Sequence, residues 1–213
     1  MSSSAPFVTD SVVQAAHWLN QGQLLAYPTE SVWGIGCDPF DKSAVQQLLT
    51  IKQRPQDKGM IVVTDSVERI APLLAPLSPK QRQTVLASWQ PSADVLVQQA
   101  HTWLLPIPDS LTTPIPEWIT GAHDSIAVRV ITHPLVQNLC AQLVTANNPY
   151  GFLVSTSCNP SGQMPALTLS EAQSYFLSES SQLLKQVGYL RGATLGYQLP
   201  SQIGDARSGQ IIR

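Results

Sequence analysis

Charged residues and cysteines are scarce in this sequence, and both shortages limit the kinds of protein it can encode. Only 12% of the 213 residues are charged, about half the usual share. The 12 basic and 14 acidic residues give a net charge of -2, which argues against a broad basic surface for duplex nucleic acid. The three cysteines are far apart and form no C-x-x-C pair. We therefore expect neither a disulfide framework nor a zinc site, and we expect the protein to reside in a reducing compartment.

Several targeting and catalytic signals are missing as well. No apolar run approaches the roughly 20 residues that span a membrane, and the N-terminus has neither the positive region nor the apolar core of a secretory signal. The sequence therefore predicts a cytoplasmic protein that does not contact a membrane. The four histidines have no metal-ligand spacing, and the P-loop, dinucleotide-binding and nucleophile-elbow motifs do not occur. Any ATP chemistry must then use a site of another kind.

Strand-like and helix-like segments alternate along the chain, which predicts an α/β fold with one twisted mixed sheet flanked by helices. Apolar runs of strand length predict strands at 24–28, 60–63, 102–105, 125–131 and 151–154, with shorter ones near Val187, Ile203 and Ile211. Apolar residues at helical spacing predict helices at 11–20, 42–53, 79–88, 134–143 and 170–177, and another that begins near Ser66.

Polar residues that precede these helices predict where four of them begin. The expected caps are Asp10, Asp41, Ser78 and Ser170. No strong linker divides the chain. We therefore expect residues 1–8 to form a loose tail and residues 9–213 to form a single domain.

Two clusters of polar residues follow predicted elements and are candidates for ligand binding. In the first, Thr29 and Ser31 follow a buried strand, where ligands bind in open sheets. Turn formation explains these hydroxyls and the neighbouring glycines slightly better. The second cluster places Lys52, Arg54 and Lys58 within seven positions, as a phosphate site would. Cations that complement the C-terminus of a helix explain it equally well.

A third cluster, Ser155-Thr-Ser-Cys-Asn159, lies at the end of another buried strand. So many polar groups need partners when they are buried, and a ligand can supply them. A turn that caps the next element is the alternative, but we favour binding because polar strand ends occur twice. Arg129 lies in an apolar strand, where an ion pair with Asp124 or another acid and a ligand contact are equally good explanations. Cys158 has no histidine beside it in the sequence and is interpreted as a small filler.

Together these clusters resemble the YrdC family of threonylcarbamoyl-AMP synthases, in its short bacterial single-domain form. Each matching segment is a weak signal alone, whereas the ordered set is specific. The segments follow the family's order over nearly the whole chain: Tyr27-Pro-Thr-Glu-Ser-Val-Trp-Gly-Ile-Gly-Cys-Asp38, Ile51-Lys-Gln-Arg-Pro55, Asp57-Lys-Gly-Met-Ile-Val62, Asp124-Ser-Ile-Ala-Val-Arg-Val130, Val154-Ser-Thr-Ser-Cys-Asn-Pro-Ser-Gly162 and Pro200-Ser-Gln-Ile-Gly-Asp205.

The resemblance implies a YrdC-like α/β domain with a concave, positively charged face and a nucleotidyltransferase activity. L-threonine, bicarbonate and ATP would give L-threonylcarbamoyladenylate and pyrophosphate, for the threonylcarbamoyl-adenosine modification of tRNA. ATP is then a substrate, and Mg²⁺ arrives on its phosphates without a metal site in the protein. Downstream proteins that transfer the threonylcarbamoyl group are the expected partners, together with weak contact with tRNA.

The resemblance also assigns roles to individual residues. The family's K-x-R…S-x-N tetrad falls on Lys52, Arg54, Ser157 and Asn159, all nucleotide-binding, with Lys52 and Arg54 also catalytic. Further nucleotide contacts fall on Thr102, Thr168 and Arg213. The threonine contacts fall on Thr29, Ser31, Arg129 and Ser201. We therefore expect Lys52 and Arg54 to grip the phosphates of a nucleotide against the loop from Ser155 to Asn159.

Two departures from the family pattern bear on these assignments. The W-P-G-P-x-T segment is split, because Trp89-Gln-Pro91 resembles its start and His101-Thr-Trp-Leu-Leu-Pro106 its second half, with an apparent insertion between them. Cys158 replaces the alanine of the usual S-T-S-A-N, which is a small change. The alternatives are an RNA-binding or ribosome-assembly module and a nucleotide-binding paralogue without synthase activity. The net charge of -2 argues against the first, and the split segment motivates the second.

Overall fold

The computed structural model describes residues 7–90, 98–176 and 187–213, which form two five-stranded mixed sheets with helices packed against them. In spatial order, the first sheet contains β1 (Phe7–Thr9), β9 (Val187–Leu190), β2 (Leu24–Pro28), β3 (Trp33–Gly36) and β8 (Thr156–Ser157). The second sheet contains β10 (Gln202–Asp205), β5 (His101–Pro106), β6 (Ser125–Val130), β4 (Ile61–Thr64) and β7 (Leu153–Val154).

Seven α-helices occur in the described part of the chain: α1 (Val12–Asn20), α2 (Lys42–Lys52), α3 (Ala71–Leu74), α4 (Pro79–Ser88), α5 (Glu117–Thr120), α6 (Pro134–Gln142) and α7 (Leu169–Phe176). The predicted caps of α2 and α4 are confirmed. The Asp41 carboxylate accepts hydrogen bonds from two backbone N–H groups of α2, and Ser78 forms a capping box with Gln81 at the start of α4. None of the described helices has the length and apolarity that crossing a membrane requires.

The chain passes from one sheet to the other at Ser155, and this crossing brings the predicted polar loop to the place where the sheets meet. Just before it, β7 pairs with β4 in the second sheet, whereas β8, just after it, pairs with β3 in the first. The two sheets approach closely here, because a Cβ added to Gly36 would lie 1.7 Å from the Val154 carbonyl oxygen. Only glycine fits at such a contact.

One apolar core contains side chains from both sheets. Trp33 and Ile35 of β3 belong to the same buried cluster as Val62 of β4 and Ile126 of β6. A second cluster lies where α1 and α6 pack, and includes Leu19. Burial of apolar side chains is the dominant favourable term in folding, so the shared core holds the two sheets, and the loop between them, in a fixed relation.

The predicted mixed α/β fold with flanking helices is confirmed, but its strands form two sheets instead of one. The apolar run at 151–154 predicts a single strand, whereas the chain pairs twice in succession, on either side of Ser155, with partners in different sheets. The sequence prediction also omits β3. Two of its four residues are glycines, which weaken a strand pattern.

Several predicted boundaries near the N-terminus are wrong. The loose tail expected for residues 1–8 does not extend that far, because Phe7 and Val8 belong to β1; residues 1–6 lie outside the described residues. Helix α1 is capped by the Ser11 hydroxyl, which accepts from the backbone N–H of Gln14. Asp10, the predicted cap, forms an ion pair with Arg191 instead, at 3.0 Å.

Further along the chain, three predicted elements differ in detail. The helix expected from Ser66 is a 3₁₀ helix, Glu68–Ile70, followed by the short α3. Helix α7 begins at Leu169, before the predicted cap Ser170, and the end predicted at 177 lies outside the described residues. Near Ile211, where a short strand is predicted, the chain forms only an isolated β-bridge with Gly204.

Candidate active site

A cleft of about 1030 Å³ is lined by residues of both sheets and contains much of the predicted site. Its volume lies at the upper end of the range for small-molecule sites, about 300–1,000 Å³. Arg54, Lys58, Arg129 and Arg213 line it, and its described lining includes no Asp or Glu. Such a cleft suits a ligand that carries several negative charges.

The four residues predicted to contact threonine all line this one cleft. Thr29 and Ser31 follow β2, Arg129 lies in β6, and Ser201 directly precedes β10. The Thr29 hydroxyl donates to the Val32 carbonyl oxygen at 2.7 Å, which holds the turn between β2 and β3. Thr29 therefore stabilises a turn, as one of the two explanations of its cluster proposed. All four residues line the cleft, so each of them is also placed where a ligand can reach it.

Lys52 contacts the polar loop rather than the cleft. Its ammonium donates to the Ser157 carbonyl oxygen at 2.7 Å, to Asn159 Oδ1 at 3.1 Å and to the Asn159 carbonyl oxygen. Three acceptors match the three donors of an ammonium group. Lys52 is buried, so it connects the end of α2 to the loop. Of the two basic residues in the predicted grip, only Lys52 bonds to the loop, whereas Arg54 bonds to Lys58 and Gly59. Their contact with a nucleotide stays a prediction.

Burial lowers the pKa of the Lys52 ammonium to about 8, the positive Arg54 nearby also lowers it, and Cys158 partly opposes the shift. The loop that receives the ammonium is itself well ordered by hydrogen bonds. The Asn159 side-chain amide donates to the carbonyl oxygens of Pro160 and Gln163, at 3.1 and 2.7 Å. Both ends of this amide are therefore engaged, which fixes the orientation of the loop.

Arg54 lines the cleft and also closes the turn that follows α2. Its guanidinium donates from Nε and Nη2 to the Gly59 carbonyl oxygen, at 3.2 and 2.8 Å. Burial, and then the positive charge of Arg213, lower the pKa of Arg54, but an arginine remains charged at any ordinary pH. Arg213 is held near it because its backbone exchanges hydrogen bonds with Ile203 of β10. Two guanidinium groups are thus available on one side of the cleft.

Arg129 is buried and forms an ion pair with Glu30, whose Oε2 lies 3.6 Å from Arg129 Nη1. Asp124, the partner named from the sequence, pairs with Arg207 on the surface instead, at 2.7 Å. Arg129 therefore forms a structural ion pair, but with Glu30 instead of Asp124. Because Arg129 also lines the cleft, the ion pair and a ligand contact are compatible with each other.

Thr102 and Thr168, predicted to contact the nucleotide, are absent from the described lining of the cleft. The Thr102 hydroxyl is fully buried and has no hydrogen-bond partner among the described residues. The Thr168 hydroxyl accepts from the backbone N–H of Glu171 at 3.2 Å, and the Glu171 carboxylate accepts from Thr168 in return. This reciprocal pair is a capping box. The segment 91–97, which contains most of the apparent insertion before Thr102, lies outside the described residues.

Cys158 lies in the loop but does not have the properties of a nucleophile. Its side chain is fully buried. Burial raises the pKa of the thiol to about 12, although the nearby Lys52 opposes this shift. A thiol of that pKa stays protonated at neutral pH, and only the thiolate is reactive. This agrees with its interpretation as a filler.

Apart from Ser201, sequence reasoning missed the segment 194–201, which contributes seven of its residues to the cleft lining, including Tyr197. It forms no helix or strand, so it has no periodicity to detect, and its only signal is the match at Pro200-Ser-Gln. Lys58 also lines the cleft. Lys58 belongs to the basic cluster and to a segment that matches the family, so the sequence singled it out but gave no basis for assigning it a role.

Comparisons with known proteins give a consistent result. A model of the Sua5/YciO/YrdC family, described as telomere recombination, matches residues 17–213. A curated protein of Psychrobacter arcticus named threonylcarbamoyl-AMP synthase is 70% identical over 214 residues and covers 100% of both chains. A protein of the same name from Moraxella catarrhalis is 41% identical over 210 residues, covering 97% of each chain.

Solved structures share the fold at lower sequence identity. The crystal structure of E. coli YciO has a TM-score of 0.68 and 19% identity, and covers 100% of this chain and 95% of that one. The crystal structure of P. abyssi Sua5 complexed with L-threonine has a TM-score of 0.71 and 22% identity, and covers 95% of this chain and 54% of that one.

Proposed function

Because the chain belongs to the Sua5/YciO/YrdC family, we propose that it is a threonylcarbamoyl-AMP synthase, which converts L-threonine, bicarbonate and ATP into L-threonylcarbamoyladenylate and pyrophosphate. Relatives of that name, at 70% and 41% identity over essentially the whole chain, support this activity. The observation on this molecule that carries the proposal is the 1030 Å³ cleft, which is lined by four arginine and lysine side chains and, among its described lining residues, by no carboxylate. No relative named above favours the RNA-binding alternative.

The main obstacle to the reaction is that two anions must meet. The amine of threonine condenses with bicarbonate to give a carbamate, and water is released. A carbamate oxygen then attacks the α-phosphorus of ATP, and the bond to the leaving pyrophosphate breaks. Cations at the cleft screen the repulsion and stabilise the charge that develops on the phosphates. Arg213 lies close enough to Arg54 for its charge to add to the effect of burial, which is the main cause of the lowered pKa of Arg54. We assign this pair to the polyphosphate, because a guanidinium fork matches two phosphate oxygens.

The threonine binds at the other set of lining residues. Arg129 receives its carboxylate, and the hydroxyls of Thr29, Ser31 and Ser201 orient it. Holding both reactants in one cleft supplies much of the rate acceleration, because a reaction between two molecules becomes effectively unimolecular. Lys52 and Asn159 hold the loop on which Ser157 faces the cleft. No covalent nucleophile is required, in agreement with the protonated Cys158.

Mg²⁺ would reach the site on the phosphates of ATP. This ion prefers oxygen ligands, usually carboxylates and phosphates. Among the described residues, no group of three or more His, Cys, Asp or Glu side chains is placed to hold a metal ion. We therefore propose that the phosphates of ATP carry the ion, and we assign no step of the reaction to it.

We also propose a cytoplasmic location and a role in tRNA modification. All three cysteines are unpaired and buried, which fits a reducing compartment. The adenylate product is a reactive mixed anhydride, so downstream proteins that transfer its threonylcarbamoyl group are the expected partners. Contact with tRNA itself is expected to be weak, because the net charge is -2.

The activity is tested by the release of pyrophosphate from the purified protein. We expect release only when threonine, bicarbonate and ATP are all present, and an adenylate that contains threonine should appear in equal amount. Leaving out each reactant in turn supplies the controls. Pyrophosphate release that does not depend on threonine, or no release with all three reactants, would overturn the proposed function.

The pH dependence of the activity tests the state of Lys52. We expect pyrophosphate release to fall as the pH rises through about 8, because deprotonation of Lys52 weakens its bonds to the loop. Since its pKa is lower in the folded chain than the ordinary 10.5, the unfolded chain binds more protons between these two values. The contribution of Lys52 to the free energy of unfolding therefore increases across that window. Deprotonation of Lys52 should therefore not unfold the protein in this pH range, and a loss of activity there must have a cause other than unfolding.

The measurement is a pH profile of pyrophosphate release, with circular dichroism at each pH. Lys52→Arg is the control, because a guanidinium stays charged over the whole range, and its profile should lack the decline near pH 8. A decline of the same midpoint in Lys52→Arg would assign it to another group.

A further inference from the structure

Glu30 is the one carboxylate that is buried beside the cleft among the described residues, and the proposed reaction assigns it no role. Its side chain is 1% exposed and is absent from the described lining of the cleft. Burying a carboxylate is costly unless it is paired and hydrogen-bonded. A carboxylate at such a position needs close partners, and it constrains the orientation of those partners in turn.

The partners of Glu30 connect it to the cleft on two sides. Oε1 accepts from the backbone N–H of Thr132 at 3.0 Å, and Oε2 lies 3.6 Å from Nη1 of Arg129. Its backbone carbonyl accepts from the N–H of Tyr197 at 3.0 Å, and the Tyr197 hydroxyl lies 3.4 Å from the Thr132 hydroxyl. Glu30 thus joins the end of β6 to the segment 194–201.

Each residue of the Glu30–Arg129 ion pair has one buried polar atom that makes no hydrogen bond within the described part of the chain. Oε2 of Glu30 and Nε of Arg129 have no hydrogen-bond partner among the described residues. The carboxylate therefore fixes one edge of the guanidinium by charge and leaves other N–H donors of Arg129 free. An arginine has five such donors in a rigid fork, so it can be held by one acid and still bind a second.

We propose that Glu30 is a positioning residue for threonine: it orients the Arg129 guanidinium so that its free donors receive the carboxylate of the substrate. This inference rests on the proposed function. Glu30 does not contact the substrate, and it acts through Arg129 alone. A charged, correctly oriented fork loses less freedom when the substrate binds, which increases affinity for threonine without affecting ATP.

Glu30→Gln tests this role, because it keeps the size of the side chain and the acceptor for Thr132. With that acceptor in place, the amide NH₂ faces Arg129 Nη1, and two donors oppose each other. We expect the KM for threonine to rise about tenfold while the KM for ATP changes less than about twofold. In an Arg129→Gln background, the same Glu30→Gln change should not raise the KM for threonine further, because a positioning residue acts on the substrate only through its partner.

Asp65→Asn is the matched control. It removes the charge from a half-buried carboxylate that is also paired with an arginine, at 2.7 Å from Arg69, and neither residue lines the cleft. Its KM for threonine should equal that of the wild type. If Glu30→Gln does not fold, Glu30→Asp keeps the charge, withdraws it from Arg129 and should raise the same KM by a smaller factor.

The outcomes separate this inference from the proposed function. A wild-type protein without threonine-dependent pyrophosphate release contradicts the function itself. An active wild type whose Glu30→Gln variant has an unchanged or lower KM for threonine overturns only the positioning role. Equal increases in both KM values, or effects of the two substitutions that multiply, would overturn it as well, since they indicate a general loss of structure.

Discussion

Replacing Lys52 by methionine is expected to lower the rate of pyrophosphate release by about 100-fold or more. Methionine keeps the apolar stem of the side chain but leaves the Ser157 carbonyl oxygen and both oxygens of Asn159 without their shared donor. The loop would then no longer hold Ser157 at the cleft. The unpaired acceptors should also lower the free energy of unfolding, by about 2 kcal/mol after the relief of burying a charge is included. Kinetics and urea unfolding measure the two effects separately.

Lys42→Ala is the control for this variant. Lys42 belongs to the same helix but is exposed, with its ammonium 5.5 Å from the centre of the Trp118 ring. We expect activity close to that of the wild type, because it contacts neither the loop nor the cleft. The prediction would be wrong if Lys52→Met retained the wild-type rate, or if its activity were lost only in proportion to the unfolded fraction.

The comparison of Lys52 with Arg54 shows how much of the site could be predicted from the sequence. The matching segments identified both residues, and the structure brings Lys52 to Ser157 and Asn159 across more than 100 positions of the chain. Their different situations were not predictable. Lys52 points to carbonyl oxygens of a loop, whereas Arg54 lines the cleft, and this depends on the path of the chain after α2. A motif indicates which residues act together but not which of them faces the ligand.

The same limit explains the errors in the fold. Local signals predicted the caps at Asp41 and Ser78, because capping involves residues only three positions apart. The division into two sheets depends on which distant strands pair on each side of Ser155, and no local pattern contains that information. The ion pair of Arg129 is a further case, since the acid nearest in sequence, Asp124, lies on the surface and Glu30 is brought in by β2. Thr168 lies in a family-like position, but its hydroxyl caps a helix.

Arg129→Gln is expected to reduce kcat/KM for threonine by about 100-fold, because it removes the charged fork that we assign to the substrate carboxylate. It should also destabilise the protein strongly, by about 3–5 kcal/mol, since Glu30 would remain buried without its partner. These two losses have different causes and can be separated. Threonine titrations measure the first, and urea unfolding in the absence of substrates measures the second.

The double variant Glu30→Gln with Arg129→Gln supplies the separation. Removing both members of a buried ion pair is much less costly than removing one, so its free energy of unfolding should recover most of the way to the wild-type value. Its kcat/KM for threonine should stay low, because the arginine is still missing. If activity recovered together with stability, Arg129 would be a structural residue and the threonine carboxylate would bind elsewhere in the cleft. If neither recovered, the Glu30–Arg129 pair would not be the source of the destabilisation.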